Sequence, residues 1–110
     1  MTRIGVIGAN HNHIYGMTQQ LLDAGAELVS FYVPESDLAA EFATRFPGAI
    51  RAAESAQVLE DDTIQLIASA GISSERGPLG IAAMRHGKDF FSDKPAFTEL
   101  SVLEDARRQR

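Results

Sequence analysis

Cysteine is absent from the 110 residues of this sequence. The absence excludes disulfide bonds, thiolate metal sites and a cysteine nucleophile, and it is compatible with a reducing compartment. The sequence also lacks a charged N-terminal segment followed by a long apolar stretch, so it predicts neither a signal peptide nor a membrane-spanning segment. We therefore expect a cytoplasmic protein with no membrane partner.

Positive charge is scarce, with 10 lysines and arginines against 15 aspartates and glutamates and a net charge of −5. A nucleic-acid partner would favour clustered lysines and arginines facing its phosphates. The basic cluster of Arg107, Arg108 and Arg110 instead closes a helical pattern, where cations favour the helix C-terminus and are usually solvated. We expect no nucleic-acid partner. A hydrophobic fraction of 45% and a charged fraction of 23% fit one globular domain.

Strand and helix patterns alternate along the whole sequence. Apolar and β-branched runs predict strands at Ile4–Ile7, Leu28–Val33, 49–52, Ile64–Ala68 and Asp89–Ser92. The helical spacing of apolar residues predicts helices at His13–Ala24, behind Ser36 as far as Phe46, at Ser55–Glu60, at Pro78–His86 and behind Thr98. We expect Ser36 to be an N-cap, Pro78 to be a first helical residue, and Gly25 and Gly87 to follow helix ends.

This alternation is typical of an α/β fold, in which crossover helices cover both faces of a parallel sheet. We predict a Rossmann-like, doubly wound sheet of about five strands in the order 3-2-1-4-5. In such a sheet the ligand crevice lies beyond the carboxyl ends of the strands, here between strands 1 and 4. The loops that follow the strands are therefore the expected binding segments.

The loop after the first strand reads G-A-N-H-N-H over residues 8–13, where a dinucleotide-binding fingerprint reads G-x-G-x-x-G. Backbone N–H groups and the positive end of the following helix would hold a pyrophosphate there. Asn10 tolerates left-handed geometry, whereas a histidine at position 13 implies either a wider gap or a ring directed at the ligand. The candidate cofactor contacts in this loop are Gly8, Ala9, Asn10, His11, Asn12 and His13. An equally good interpretation is that its polar residues cap the helix or bond to the backbone.

The two histidines of this loop, His11 and His13, also suggest a metal site. A metal needs a third and a fourth ligand, and the same loop has no cysteine and no obvious carboxylate. We therefore predict no metal site.

The end of the second strand bears on the choice of cofactor. A dinucleotide site usually presents an aspartate or glutamate there to the ribose 2′-hydroxyl, and this sequence has Val33 at that position. Glu35 would substitute if the loop bends back, or it would simply favour the start of the next helix. No lysine or arginine lies between Phe31 and Ala43 to bind a 2′-phosphate. The sequence therefore favours NAD slightly over NADP.

The segment M-R-H-G-K-D-F-F-S-D-K-P over residues 84–95 resembles the A-G-K-H-V-x-x-E-K-P signature of the Gfo/Idh/MocA family of NAD(P)-dependent oxidoreductases, with the same spacing from Gly87 to Lys94. Residues 4–10, 24–29 and 66–70 fall in register with the first, second and fourth strands of that family. The resemblance covers essentially the whole chain. It implies that residues 1–110 form the N-terminal NAD(P)-binding Rossmann domain.

The resemblance also implies residue roles. In the family, the lysine of E-K-P reaches toward the nicotinamide and the reacting carbon of the substrate, which makes Lys94 the candidate catalytic residue. A cation there can orient a substrate hydroxyl and stabilise a developing oxyanion. Asp93 and Pro95 flank it and are expected beside the cofactor. The family's loop after the fourth strand, A-T-P-N/T-x-x-H, keeps only its first residue here, and we expect cofactor contacts from Ala70 and Ser73.

The family has a further, C-terminal substrate domain, and neither that domain nor the last strand of the sheet follows Arg110 in this sequence. We therefore expect a small-molecule substrate only together with such a domain, and whether this chain alone is an enzyme stays open. In the family context it would transfer hydride between a nicotinamide cofactor and a sugar- or polyol-like hydroxyl. Two alternatives remain: a non-catalytic nucleotide-sensing or interaction module, and an inactive truncated product whose exposed sheet edge favours a homo-oligomer.

Overall fold

The computed structural model describes residues 2–10, 12–71 and 73–92. In this part of the chain one parallel sheet contains β1 (Arg3–Ile7), β2 (Glu27–Tyr32), β3 (Ile50–Arg51), β4 (Leu66–Ser69) and β5 (Asp89–Ser92). The helices between them are α1 (His13–Asp23), α2 (Ser36–Arg45), α3 (Ser55–Leu59) and α4 (Ser73–Arg85). The strand order β3-β2-β1-β4-β5 confirms the predicted order. The predicted final helix behind Thr98 lies outside the described residues, and none of the described helices is long and apolar enough to cross a membrane.

The central strand, β1, is buried because it has a neighbour on each side and helices on each face. It pairs in parallel with β2, where Val6 lies opposite Phe31, and with β4, where Val6 lies opposite Ala68. A Cβ on Gly5 would lie 2.4 Å from Cγ1 of Val58, so the absence of a side chain lets α3 pack directly on this strand. The near-continuous apolar run of β1 is the pattern expected of a strand covered on both faces.

Two hydrophobic clusters cover the two faces of the sheet. One contains Val6 with side chains of α1 and α2, and in it the ring of Phe42 lies 4.7 Å from that of Phe31 and 5.0 Å from that of Phe46, between centroids. The other contains Ile7 with side chains of α3 and α4. Val6 and Ile7 point to opposite faces because they are successive residues of one strand. Helices on both faces confirm the predicted doubly wound architecture.

Helices α1 and α2 also make a polar contact at the edge of the first cluster. The hydroxyl of Tyr15 donates a hydrogen bond to Oε2 of Glu41 at 2.6 Å, and the guanidinium of Arg45 lies 4.3 Å from the centre of the Tyr15 ring. Burial of the ring, the hydrogen bond to Glu41 and the charge of Glu41 raise the pKa of Tyr15 to about 12, whereas the charge of Arg45 lowers it. These contacts fix the two helices side by side, and so they place the loops that precede them next to each other.

The start of α2 differs from the prediction, which made Ser36 the N-cap. Ser36 is the first helical residue and Glu35 is the cap residue, whose carbonyl accepts a hydrogen bond from the N–H of Ala39 at 2.9 Å. Glu35 takes this place because its backbone is extended, with φ −74° and ψ 122°, as a cap residue requires. Its side chain makes no capping hydrogen bond, so the carboxylate is available for contacts outside α2.

Helix α4 begins earlier than the predicted start at Pro78. It runs over Ser73–Arg85 and has Pro78 inside it. The proline ring fixes φ near −65°, which is helical, and its main cost is the hydrogen bond that its missing N–H would have donated to the preceding turn. The connection from β4 to α4 is therefore short, and the longer connection implied by a strand end at Ala68 and a helix start at Pro78 is wrong.

The two glycines predicted to follow helix ends have the left-handed φ that such positions favour. Gly25 follows α1 with φ +101° and Gly87 follows α4 with φ +74°. Directly after Gly87, the side chain of Lys88 is 3% exposed, and its Nζ donates to the carbonyls of Asp61 and Ile64 at 2.6 and 2.8 Å. These bonds tie the start of β5 to the turn before β4, a role that the sequence did not indicate.

Candidate functional site

The carboxyl ends of β1, β2 and β4 meet around a cleft of about 220 Å³. Along the chain, β2 and β3 are added on one side of β1 whereas β4 and β5 are added on the other, so the strand order reverses at this point. In open parallel sheets, ligands bind at such a reversal. The cleft is lined by strand ends, the loops behind them and two helices, through Ile7, Gly8, Asn10, Tyr32, Pro34, Glu35, Ser55, Ser69, Gly71 and Leu79.

Gly8 holds these strand ends together through its backbone. Its N–H donates to the carbonyl of Tyr32 at 3.0 Å, and its carbonyl accepts a hydrogen bond from the N–H of Ala70 at 3.1 Å. Its φ of +90° is left-handed, and a Cβ there would lie 3.0 Å from Cα of Gly71. Two glycine backbones thus approach closely beside the cleft. A side chain at position 8 would strain the backbone and push the two loops apart.

The other candidates of the first loop divide between the core and the surface. Ala9 is 3% exposed and packs in the core, so it can contact a cofactor only through its backbone. Asn10 is exposed and lines the cleft. Asn12 and His13 are exposed at the start of α1, where Asn12 is the N-cap residue but its side chain makes no capping hydrogen bond. His11 lies outside the described residues.

The segment behind β2 presents Glu35 to the cleft. The predicted contact Val33 is 1% exposed and packs in the core, and its carbonyl accepts a hydrogen bond from Nη2 of Arg51 at 3.2 Å. Oε2 of Glu35 accepts a hydrogen bond from Nδ2 of Asn10 at 3.2 Å. Oε1 of Glu35 is buried and has no hydrogen-bond partner. A buried acceptor left unpaired costs about 1–3 kcal/mol, so this oxygen is suited to receive a donor from a ligand.

The described lining of the cleft carries little charge. It contains one carboxylate, that of Glu35, and neither lysine nor arginine. Arg51, on the neighbouring strand β3, donates a hydrogen bond to the carbonyl of Val33 just after β2, but it does not line the cleft. Within residues 2–10, 12–71 and 73–92, no three histidine, cysteine, aspartate or glutamate side chains form a group that could hold a metal ion. The charge around Glu35 therefore favours a hydrogen-bond donor over an anion.

The end of β4 contributes residues that the sequence did not single out. Ser69 is 1% exposed, and its Oγ accepts a hydrogen bond from the N–H of Gly71 at 3.2 Å. This bond turns the chain so that Gly71 meets Gly8. The predicted contact Ala70 is fully buried, and the predicted contact Ser73 is the first residue of α4. A glycine soon after a strand end was the available signal for Gly71, whereas Ser69 was predicted to follow the strand and is its last residue.

The predicted catalytic segment follows β5, and its residues Asp93, Lys94 and Pro95 lie outside the described residues. Strand β5 ends at Ser92, which lies opposite Ser69 at the end of β4. The chain therefore leaves β5 at the same edge of the sheet as the cleft.

Comparisons with known proteins give matches among solved structures only. No protein-family model matches the sequence, and no curated protein does. A candidate oxidoreductase from Erwinia carotovora atroseptica is 44% identical over 98% of this chain, with a TM-score of 0.88. Biliverdin reductase from a Synechocystis species, solved with biliverdin and NADP+, is 23% identical over 98% of this chain, with a TM-score of 0.78. Levoglucosan dehydrogenase, solved with NADH, is 21% identical over 99% of this chain, with a TM-score of 0.73.

This chain spans about a third of the length of those proteins, namely 32%, 35% and 32%. The two more distant structures share its fold. The Erwinia protein is similar in sequence as well, at 44% identity. The structures that this chain resembles are oxidoreductases of the Gfo/Idh/MocA type.

Proposed function

We propose that the cleft binds a nicotinamide adenine dinucleotide and that this chain is the cofactor-binding domain of an oxidoreductase. The observation that supports this most directly is the buried, unpartnered Oε1 of Glu35 beside the reversal of the strand order. In dinucleotide-binding folds, an acidic side chain behind the second strand receives the adenosine ribose, whose hydroxyls are hydrogen-bond donors. Glu35 thus offers an unpaired hydrogen-bond acceptor at the place where this fold binds a ribose hydroxyl.

The first loop fits the pyrophosphate of the same cofactor. Gly8 carries no side chain between the end of β1 and the cleft, so a phosphate can approach its backbone. Helix α1 starts shortly afterwards at His13, and the N–H groups and dipole of its first turn attract anions. Asn12 and His13 are exposed there, and we propose that they contact the phosphates.

We propose NAD as the preferred cofactor. The 2′-phosphate of NADP would bring negative charge to the carboxylate of Glu35, and the described lining of the cleft contains no lysine or arginine to offset it. Like charges placed together in a binding site cost several kcal/mol. Arg51 is a cation that could reach a 2′-phosphate, because its guanidinium donates to the carbonyl of Val33, two residues before Glu35. A strong preference for NADP would assign Arg51 to the phosphate and contradict this part of the proposal.

The bound dinucleotide would supply or accept the hydride. We propose that Lys94 donates a hydrogen bond to the substrate oxygen and stabilises negative charge on it, and that Asp93 and Pro95 contact the cofactor. We propose a sugar- or polyol-like hydroxyl compound as substrate. Its other contacts are assigned to the part of the longer relatives that lies beyond this domain, since this chain spans 32% of the Erwinia protein.

A fluorescence titration of the chain with NADH and NADPH tests the proposal. We expect saturable enhancement and a shift of the NADH emission, with NADPH bound about tenfold more weakly, a difference of about 1.4 kcal/mol. Glu35→Gln should reduce that difference because it removes the charge and keeps the size of the side chain. Glu60→Gln makes the same change at an exposed position at the far end of α3 and should have no effect. Absence of binding by both dinucleotides at millimolar concentration would refute the proposal.

Turnover tests the role of Lys94 in a longer protein that contains this domain. Lys94→Ala should lower kcat about 100-fold or more, as is typical for the loss of a group that stabilises transition-state charge. The dissociation constant for the dinucleotide should change little. An unchanged kcat would assign the chemistry to other residues, and binding without turnover in the wild type would favour a nucleotide sensor.

A further inference from the structure

We propose that Asn10 is a positioning residue that sets the choice of cofactor through Glu35, an inference that rests on the proposed function. Asn10 stands where the dinucleotide fingerprint has its second glycine. Its side chain reaches from the loop behind β1 to the segment behind β2, where Nδ2 donates to Oε2 of Glu35 at 3.2 Å. A glycine at this position could not make the contact.

The contact leaves the Glu35 carboxylate with one occupied oxygen and one open oxygen. Oε2 accepts the hydrogen bond from Asn10, whereas Oε1 is buried without a partner. An ionised carboxylate only accepts hydrogen bonds, so the open oxygen needs a donor. A ribose hydroxyl is such a donor and a 2′-phosphate is not. The carboxylate therefore has Oε1 open to accept a ribose hydroxyl.

The position of the Asn10 side chain is in turn set by the loop behind β4. A Cβ on Gly71 would lie 3.7 Å from Oδ1 of Asn10, so the amide oxygen lies on the side of Gly71 where a side chain would project. Gly71 is in turn fixed by its hydrogen bond to Ser69. The amide thus sits between the loop behind β4 on one side and Glu35 on the other. This arrangement directs Nδ2 toward the carboxylate.

The consequence is that Glu35 cannot readily turn away from an incoming ligand. A glutamate side chain held by nothing would rotate into solvent and make room for a 2′-phosphate. Rotation of Glu35 breaks a hydrogen bond between the amide of Asn10 and a charged group. The held carboxylate binds a 2′-hydroxyl and repels a 2′-phosphate. Asn10 thereby strengthens NAD binding and weakens NADP binding.

The test compares the dissociation constants for NADH and NADPH of the wild type and of Asn10→Ala. We expect NADH to bind about tenfold more weakly, as suits the loss of a hydrogen bond to a charged group at a partly exposed site, and NADPH to bind more tightly by a smaller factor. Asn10→Gly, which restores the fingerprint glycine, should lose the same preference. In a Glu35→Ala background, Asn10→Ala should leave the preference unaltered, because Asn10 acts only through Glu35.

Gln19→Ala is a matched control. Gln19 also donates an amide hydrogen bond to a carboxylate, that of Asp23 at 2.8 Å, on the exposed side of α1 and away from the cleft. Its loss should change neither dissociation constant. A measurement without cofactor tests the contact between Asn10 and Glu35 directly. The side-chain amide NMR signal of Asn10 should shift in Glu35→Ala and stay in place in Gln19→Ala.

The outcomes separate this inference from the function on which it rests. If the wild type binds NADH and Asn10→Ala keeps the same preference, the inference alone is overturned. It is also overturned if Asn10→Ala acts equally in both Glu35 backgrounds, or if Asn10→Gly binds both dinucleotides more tightly, since Asn10 would then be only an obstacle. A wild type that binds neither dinucleotide overturns the inference and the proposed function together.

Discussion

Replacing Gly8 with alanine tests the close approach of the two loops beside the cleft. Gly8 has a φ of +90°, and an added Cβ would lie 3.0 Å from Cα and 3.2 Å from N of Gly71. A left-handed backbone costs a residue with a side chain about 1–2 kcal/mol. Crowding against a backbone that cannot swing aside adds about 1–3 kcal/mol. We therefore expect Gly8→Ala to lower the free energy of unfolding by about 2–5 kcal/mol.

Two other glycines separate these two contributions. Gly25 has a φ of +101° and nothing within 4 Å of an added Cβ, so Gly25→Ala measures the backbone cost alone, about 1–2 kcal/mol. Gly16 lies inside α1 with nothing within 4 Å and no left-handed φ. Gly16→Ala should therefore raise the free energy of unfolding by about 0.5–1 kcal/mol, because alanine is the better helix former.

Urea unfolding followed by circular dichroism gives the free energies of the wild type and the three variants. Equal slopes in all four transitions would allow their midpoints to be compared directly. The expected order of stability is Gly16→Ala, wild type, Gly25→Ala and then Gly8→Ala. The reasoning is refuted if Gly8→Ala costs no more than Gly25→Ala, because the approach to Gly71 would then contribute nothing.

Two further predictions concern polar contacts outside the cleft. The pKa of Tyr15 is raised from 10.0 to about 12 in the folded chain. The stabilisation that this shift contributes is present below pH 10 and is lost as the pH rises toward 12. Glu41→Gln should lower the pKa of Tyr15, which can be measured from tyrosinate absorbance with Tyr15→Phe as the reference. Lys88→Met should lower the free energy of unfolding by about 2–4 kcal/mol in urea, because the carbonyls of Asp61 and Ile64 lose their charged donor.

Each of these predictions has a contrary result. An unchanged pKa of Tyr15 in Glu41→Gln would show that the two side chains are not hydrogen-bonded in solution. An unchanged urea midpoint for Lys88→Met would show that the lysine is solvated and does not tie β5 to the turn before β4.

The strands and their order could be predicted because each leaves a local signal. The first two apolar runs stop at Gly8 and Pro34, and the alternation of strands with helices leaves few topologies for a parallel sheet. Gly25 and Gly87 were predictable for a similar reason, since a helix end with left-handed φ favours glycine. The start of α4 was not, because Pro78 fits the first position of a helix and also an interior position near its start. Ser73 and Ser74, which precede the proline, are of a residue type that favours N-caps, so the sequence allows an earlier helix start as well as one at Pro78.

The candidate site was predictable only in part. Gly8 could be predicted as a site residue, because the fingerprint requires a glycine directly after the first strand. The choice between Val33 and Glu35 depends on the path of the chain behind β2, which is set by the docking of α2 on α1 through contacts such as that of Tyr15 with Glu41. The contact of Arg51 with Val33 joins residues of different strands. Spacing along the sequence does not reveal contacts of this kind.

Chemical-shift mapping of NAD+ on the isotope-labelled chain tests the central claim most directly. The account predicts saturable changes that are largest at the backbone amides of Gly8, Asn10, Glu35 and Gly71, around the carboxyl ends of the strands. It predicts no such change at Gly48, which lies at the opposite end of the sheet. Largest changes at that opposite end, or no saturable change at all, would contradict the claim that the cleft is the cofactor site.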